Sequence, residues 1–159
     1  MERIVFAKGL PFIFVFLFLG FSGTVKAEHI APADRILGKW IAKEKNLIVE
    51  VYRAENGYRA RILWFSDRDD LSRPMATRTD YHNPDPALRK RKLIGMDVLS
   101  GLNYSFETAS WENGLIYDAN SGKEWSSCIS LNKDGGLNVK GYWHFKCFCK
   151  SINFLPYNG

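Results

Sequence analysis

Polar and apolar residues alternate one by one along several short stretches of this chain, and turn residues separate those stretches. From Tyr58 to Trp64 every second residue is aromatic or aliphatic, and two arginines lie between them. Successive side chains of a β-strand point to opposite faces, so this spacing predicts a strand with Trp64 on the same face as Tyr58. An Asn56-Gly57 pair, the strongest short indication of a β-hairpin, comes directly before it. The hydrophobic period of two predicts a sheet rather than a helical bundle.

Strand patterns of this kind recur about eight times, with turns roughly every 8–12 residues, which is typical of antiparallel sandwiches and barrels. Turns are predicted at Gly101-Leu102 and at Asn113-Gly114, among other places. No helical pattern is longer than one turn. The sequence therefore predicts an all-β protein, either closed or sandwiched. The predicted strands are 38–42, 46–53, 58–65, 93–99, 104–111, 115–117, 123–131, 137–143 and 145–154.

The stretch 66–92 lacks any alternation and holds three of the six prolines together with several aspartates. It is predicted to be one long loop. Within it, Asp85 and Pro86 have the residue types that begin a helix, because an aspartate caps the first turn and a proline fits its first position. We therefore expect one short helical turn over residues 86–90. Loops of this length in compact domains are usually functional or mobile.

The N-terminus has the layout of a secretory signal peptide: a short basic start, an apolar run at residues 10–21, and a small-residue end at Ala27. The apolar run is about a dozen residues, whereas a helix that crosses a bilayer needs roughly 20. We expect cleavage after Ala27, an exported protein of the periplasm or the extracellular space, and one domain over residues 28–159. No later segment is long enough to form an integral membrane span.

The leader also accounts for part of the positive charge. Residues 1–27 hold three basic residues and one glutamate, so their removal lowers the formal net charge from +5 to +3. The basic run at 89–92 is then the main one left, and it is best explained as a solvated turn. Because no stripe of Lys and Arg with interleaved aromatic residues remains, nucleic acid is not expected as a partner.

Three cysteines remain in an exported chain, where thiols oxidise. Their odd number leaves at least one unpaired. Cys147 and Cys149 are two residues apart and share a strand face, whereas Cys128 points away from its apolar neighbours on its own strand. Packing thiols or one incidental disulfide are the expected outcome. Their disulfide state is left open.

Several motifs in chain order resemble the domain of unknown function 2147 family of small exported bacterial proteins. They are Gly38-Lys39-Trp40, the block from Asp80 to Arg89, the block from Trp111 to Asp118, and Lys140-Gly141-Tyr142. The resemblance implies a single antiparallel up-and-down barrel of about eight strands, similar to lipocalins, in which Trp40 would plug one end. The C-terminal stretch 147–154 departs from the family's usual Gly-Arg-Thr-x-x-Trp-like strand, so no role of that arginine or tryptophan is transferred.

Indications of catalysis are sparse. The mature chain lacks the nucleophile, zinc and dinucleotide motifs of common enzymes. His82 lies beside Asp80 and Asp85, so a histidine base oriented by a carboxylate can be drawn, as in a hydrolase. The same aspartates with Asn83 offer oxygen ligands suited to Ca²⁺, although their spacing is not that of the Ca²⁺-binding loop. The simplest explanation is that these side chains hold the turn around Pro84. No catalytic residue, metal or cofactor is predicted.

We expect a binding module rather than an enzyme. The candidate ligand-binding residues lie in the loop and among the aromatic residues; they are Trp40, Trp64, Asp80, Asn83, Asp85, Arg91 and Tyr117. A barrel of eight strands can hold one small ligand or be filled by its own side chains. One hypothesis is therefore a small apolar or aromatic ligand at the barrel mouth, with 66–92 as a lid. The alternative is a solid core in a module that binds an envelope protein.

Overall fold

A computed structural model describes residues 30–142 and 149–159 of the chain. Eight antiparallel strands form one closed barrel in which each strand pairs with the next in sequence and the last pairs with the first. The predicted all-β barrel of about eight strands is confirmed. The strands are β1 (Gly38–Ala42), β2 (Leu47–Ala54), β3 (Gly57–Phe65), β4 (Asp97–Ser105), β5 (Ser110–Asp118), β6 (Lys123–Leu131), β7 (Leu137–Tyr142) and β8 (Cys149–Pro156).

Some sequence predictions fall outside the described residues. They are the signal peptide 1–27 and the parts of the last two predicted strands between Trp143 and Phe148. Cys147 lies there too, and nothing is described of the Cys149 side chain. Cys128 carries a free, half-buried thiol on β6.

The core fills the inside of the barrel with residues from all eight strands. Trp111 and Leu102 are completely buried there, and Ile129 and Leu137 are almost so. The alternation of the strands explains this arrangement, since every second side chain of a barrel strand points inward. On β1, for example, Trp40 and Ala42 belong to the core, whereas Lys39 and Ile41 point outward.

A short 3₁₀ turn at Pro32–Ile36 seals one end of the barrel. Ile36 is completely buried. The indole nitrogen of Trp40 donates a hydrogen bond to the Ile36 carbonyl (2.8 Å), and that of Trp111 donates to the Ala33 carbonyl (2.9 Å). The Ile36 and Ala33 carbonyls therefore have hydrogen-bond partners inside the barrel, as buried backbone groups require. The sequence pattern showed only a proline-containing segment here, so this turn was not predicted.

The predicted turns at Gly101-Leu102 and Asn113-Gly114 are wrong, because both pairs lie inside strands. Gly101 (φ +71°) and Asn113 (φ +61°) adopt left-handed backbone conformations where the pairing of β4 and β5 with their neighbours is irregular. Such β-bulges use the same residue types as tight turns. Gly114 also has a packing role, since a Cβ atom there would lie 2.6 Å from the Leu102 side chain.

The true β4–β5 turn at residues 106–109 contains neither Gly nor Pro, and Ala109 supplies its left-handed conformation (φ +50°). A sequence pattern based on turn residues cannot detect it. Where turn residues and alternation agree, the predictions hold. The hairpin at Asn56-Gly57 is present, and β6 has the predicted bounds. The predicted helical turn occurs as a 3₁₀ turn at Pro86–Leu88, with the Asp85 side chain accepting from the Ala87 N–H.

The Ile36 side chain is expected to stabilise the sealed end. Replacement of this completely buried side chain in Ile36→Ala should lower the free energy of unfolding by about 2–5 kcal/mol, because it leaves a cavity in the barrel end. Ile30→Ala is the matched control, since Ile30 is 64% exposed and its loss should cost about 0.5 kcal/mol or less. Urea unfolding followed by tryptophan fluorescence measures both. Equal, small effects would show that the 3₁₀ turn does not seal the barrel.

Candidate functional site

The long connection between β3 and β4 folds back on itself and brings Asp80 next to Arg91. Thr79 pairs with Lys92 in an isolated antiparallel bridge, and the Asp80 N–H donates to the Arg91 carbonyl (2.9 Å). The second half of the loop predicted over 66–92 is thus closed at its base by one bridge between Thr79 and Lys92.

The carboxylate of Asp80 is completely buried and accepts three side-chain hydrogen bonds. Its Oδ1 accepts from the Tyr117 hydroxyl on β5 (2.7 Å), and its Oδ2 accepts from Asn83 Nδ2 and from an Arg91 guanidinium nitrogen (2.7 Å each). We call these four residues the Asp80 cluster. A buried charge is tolerated only when it is paired and hydrogen-bonded, and this one is both.

The ionisation of the cluster follows from these contacts. Burial raises the pKa of Asp80, but the hydrogen bonds from Tyr117, Asn83 and Arg91 and the charge of Arg91 together bring it below the usual value. Burial, and then the carboxylate as acceptor, raise the pKa of Tyr117 to about 12. An ionised carboxylate with both oxygens in use is poorly suited to act as a base. The cluster instead ties the loop to the barrel wall.

Asp85 and His82 lie beside this cluster in different roles. The Asn83 side chain accepts from the Asp85 N–H (2.9 Å), and Asp85 in turn caps the short 3₁₀ turn. The His82 ring contacts the Tyr81 ring edge-on (5.4 Å between centroids). The backbone carbonyl of His82 packs against Gly122. Among the described residues the Asp80 carboxylate is contacted by Tyr117, Asn83 and Arg91 rather than by His82. The histidine-base arrangement is therefore not assembled.

The acidic residues of the loop face arginines and backbone groups rather than one another. Arg78 binds both carboxylate oxygens of Asp69 (2.9 Å each), and hydrogen bonds from Ser72 and Arg73 lower the pKa of Asp70 to about 2. Within 30–142 and 149–159, no group of three or more His, Cys, Asp and Glu side chains is arranged to hold a metal ion. The Ca²⁺ alternative therefore has no support from this part of the chain.

A second feature lies on the outer wall, where four apolar residues pair directly across four adjacent strands. Trp64 on β3 faces Ile48 on β2, Ile48 faces Ile41 on β1, and Ile41 faces Leu155 on β8. We call this row the apolar ladder. Trp64 is 37% exposed and Leu155 41% exposed, so the ladder reaches the surface. A sheet face that contacts water is expected to be polar, so this apolar row requires an explanation.

Trp64 points outward because of a β-bulge. Val49 pairs with Ile62 and the next residue back, Ile48, pairs with Trp64, so Leu63 is an extra residue in β3. One extra residue reverses the facing of every side chain beyond it. The prediction that Trp64 shares the inward face of Tyr58 is therefore wrong. The regular alternation of the sequence gives no sign of the irregular pairing between β3 and β2, so the bulge could not be predicted from it.

Three residues of the apolar ladder, Ile41, Ile48 and Trp64, line a pocket of about 400 Å³. Its walls come from β1, β2, β3, the β1–β2 turn and the C-terminal segment; they are Lys39, Ile41, Lys45, Ile48, Leu63, Trp64 and Tyr157. No residue of the loop 66–92 lines it. A lid role for that loop is therefore not supported at this pocket.

The structure brings some predicted site residues together and separates others. Asp80, Asn83, Arg91 and Tyr117 form one cluster, and Asp85 adjoins it. Trp64 is in the outer pocket, and Trp40 is inside the barrel at the sealed end. The predicted pocket walls Trp40, Trp64 and Tyr117 thus occupy three separate places. Sequence analysis missed the ladder residues Ile41, Ile48 and Leu155, which only cross-strand register brings together.

A closed up-and-down barrel of eight strands, sealed at one end by a 3₁₀ turn, defines a lipocalin-like fold. The chain belongs to the family described as "Uncharacterized protein conserved in bacteria (DUF2147)", whose model matches residues 38–155. Its structure is similar to that of HP1028 from the human pathogen Helicobacter pylori, a protein described as belonging to the lipocalin family. The TM-score is 0.64 with 22% identity, over 77% of this chain and 83% of that one.

Comparison with curated proteins gives no match. At this level of identity, the similarity to HP1028 establishes the fold alone. In the described part of the chain, none of the helices has the length and apolar character needed to cross a bilayer.

The Asp80 cluster should contribute to stability through the Tyr117 hydroxyl. Tyr117→Phe leaves Asp80 Oδ1 without this donor in a buried position, so the free energy of unfolding should fall by about 1–3 kcal/mol. The control is Tyr81→Phe in the same loop, because the Tyr81 side chain is 71% exposed and its change should have little effect. Urea unfolding at pH 7 compares the two. Equal stabilities of both variants would contradict the role assigned to the cluster.

The contribution of Asp80 should depend on pH in acid. Because its pKa is lower in the folded protein than in the unfolded chain, the ionised carboxylate stabilises the fold above about pH 4 and this stabilisation is lost as the pH falls through the folded pKa. The stability difference between the wild type and Asp80→Asn should therefore be largest near pH 7 and should shrink below about pH 4. Urea unfolding of both proteins across this range measures it. A difference that stays constant down to the acid limit would contradict the assignment.

Proposed function

We propose that this protein is an exported, non-enzymatic binding protein for small apolar molecules or lipids of the bacterial cell envelope. Export rests on the signal-peptide layout of residues 1–27. The lipocalin-like barrel of the family is compatible with binding. The observation that carries the proposal is the pocket on the outer wall.

Two properties of the pocket, its volume and its mostly apolar lining, agree with those of a ligand site. Its volume of about 400 Å³ lies in the range of roughly 300–1,000 Å³ that small-molecule sites occupy. Most of its lining is aliphatic or aromatic, and its polar groups are few. A ligand that covers the exposed part of Trp64 would gain roughly 25 cal/mol for each Å² of apolar surface removed from water. Burial of a ligand therefore provides a favourable free energy that the empty surface lacks.

The proposed site also differs in place from the sequence-based hypothesis of a ligand at the barrel mouth. The core residues Trp111, Leu102 and Ile129 are buried in one cluster inside the barrel. The outer pocket instead lies on paired strands, and such strands hold side chains more rigidly than loops do. We therefore place the ligand on the wall beside Trp64.

An envelope protein is the second candidate partner. One observation favours it: the apolar ladder continues past the pocket to Leu155, which is 41% exposed and does not line the pocket. A protein surface could cover the whole ladder, whereas a small ligand would cover mainly the pocket. Leu155→Ser would then weaken the protein complex and leave the binding of small molecules almost unchanged.

Titration of the mature protein with N-phenyl-1-naphthylamine, a neutral aromatic probe that fluoresces in apolar surroundings, tests the proposal. We expect saturable binding to the wild type. The affinity of Trp64→Ala should be at least about tenfold lower, because this change removes the aromatic wall of the pocket. Leu115→Ala on β5 is the control, since Leu115 is also partly exposed (44%) but lies outside the pocket lining. Failure of the probe to bind, or an unchanged affinity in Trp64→Ala, would overturn the proposal.

A further inference from the structure

Among the described residues that line the pocket, two lysines are the only charged side chains. Lys39 lies on β1, two residues before the ladder residue Ile41 and on the same face of the strand. Lys45 lies in the β1–β2 turn, where its left-handed backbone (φ +55°) belongs to the tight connection. The lysines therefore lie on opposite sides of the apolar ladder along the strand direction.

Neither lysine is neutralised by an ion pair within the described part of the chain. Glu50 pairs with Lys39 in strand register, but two nitrogens of Arg61 bind its carboxylate (2.8 and 2.6 Å). No carboxylate is among the lining residues that the structure describes. The pocket therefore combines a mostly apolar lining with the positive charge of the lysines.

We propose, building on the proposed function, that the ligand of this pocket is a single-chain amphiphile with an anionic head. Its chain lies on the apolar ladder between Trp64 and Ile41, and its carboxylate or phosphate head pairs with Lys39 or Lys45. A lysine ammonium binds either head as a point charge with three donors. The limited volume of about 400 Å³ favours a single small molecule as the ligand over an extended membrane surface.

The experiment is displacement of N-phenyl-1-naphthylamine from the mature protein by four C12 compounds, each below its micelle concentration or, for 1-dodecanol, below its solubility limit. Dodecanoate and dodecyl phosphate carry the two anionic heads, 1-dodecanol is neutral, and dodecyltrimethylammonium is cationic. We expect the anionic compounds to bind about fivefold or more tightly than dodecanol, and the cation to bind most weakly. Since exposed charges are screened by salt, the preference should shrink at high ionic strength.

Variants assign the preference to the two lysines. In the double variant Lys39→Gln and Lys45→Gln, dodecanoate should bind no more tightly than dodecanol, and the affinity for dodecanol should stay unchanged. The single variants show which lysine binds the head. Lys133→Gln is the matched control, because this exposed lysine lies in the β6–β7 turn, outside the pocket lining.

The outcomes separate this inference from the proposed function. Equal binding of dodecanoate and dodecanol, unaffected by the lysine changes, would overturn the inference and leave the binding of apolar molecules intact. Failure of the probe itself to bind would overturn the proposed function. Cosedimentation with phosphatidylglycerol vesicles, without displacement by any monomeric amphiphile, would overturn the inference in favour of a membrane surface.

Discussion

The pairing of β1 with β8 joins Trp40, Ile41 and Ala42 to Pro156, Leu155 and Phe154, and it converts an open sheet into a closed one. Closure removes the unpaired edges that would otherwise expose backbone hydrogen-bonding groups. It also fixes which side chains meet on each face. On the inside, Ala42 is paired with the buried Phe154. On the outside, the same pairing places Ile41 beside Leu155. One set of backbone hydrogen bonds therefore builds part of the core and half of the apolar ladder.

The β-bulges decide where the strands depart from simple alternation. The extra residue Leu63 turns Trp64 to the outer wall, where it extends the ladder to β3. The irregular pairing near Gly101 and Asn113 lets β4 and β5 continue through residues that resemble turns. Bulges bend and twist strands, and a small barrel needs such bends to close. The β-bulges, which the sequence pattern did not predict, thus shape the barrel and its pocket.

Local features of this fold could be predicted from the sequence, and long-range features could not. The period of two, the Asn56-Gly57 hairpin and the Asp85 cap depend on neighbouring residues, and all three are present. Asp80, Asn83 and Arg91 lie within twelve residues of one another, so the motif that contains them indicated their proximity. Their contact with Tyr117, 37 residues after Asp80, requires the fold. The ladder requires the register of four strands, which no single strand specifies. Whether the predicted site residues bind a ligand stays a prediction.

The two clusters on this barrel differ in how far their chemistry is already satisfied. Both oxygens of Asp80 are in use, and the donors that reach them come from the protein itself. A polar network in this state gains nothing from a ligand, because any ligand group would have to replace a bond that exists. The apolar ladder is in the opposite state, since Trp64 and Leu155 remain in contact with water and two lysines border the pocket without ion-pair partners among the described residues. Binding of a ligand can therefore lower the free energy at the apolar ladder, but not at the Asp80 cluster. This difference assigns a structural role to the acidic loop motif and the binding role to the outer wall.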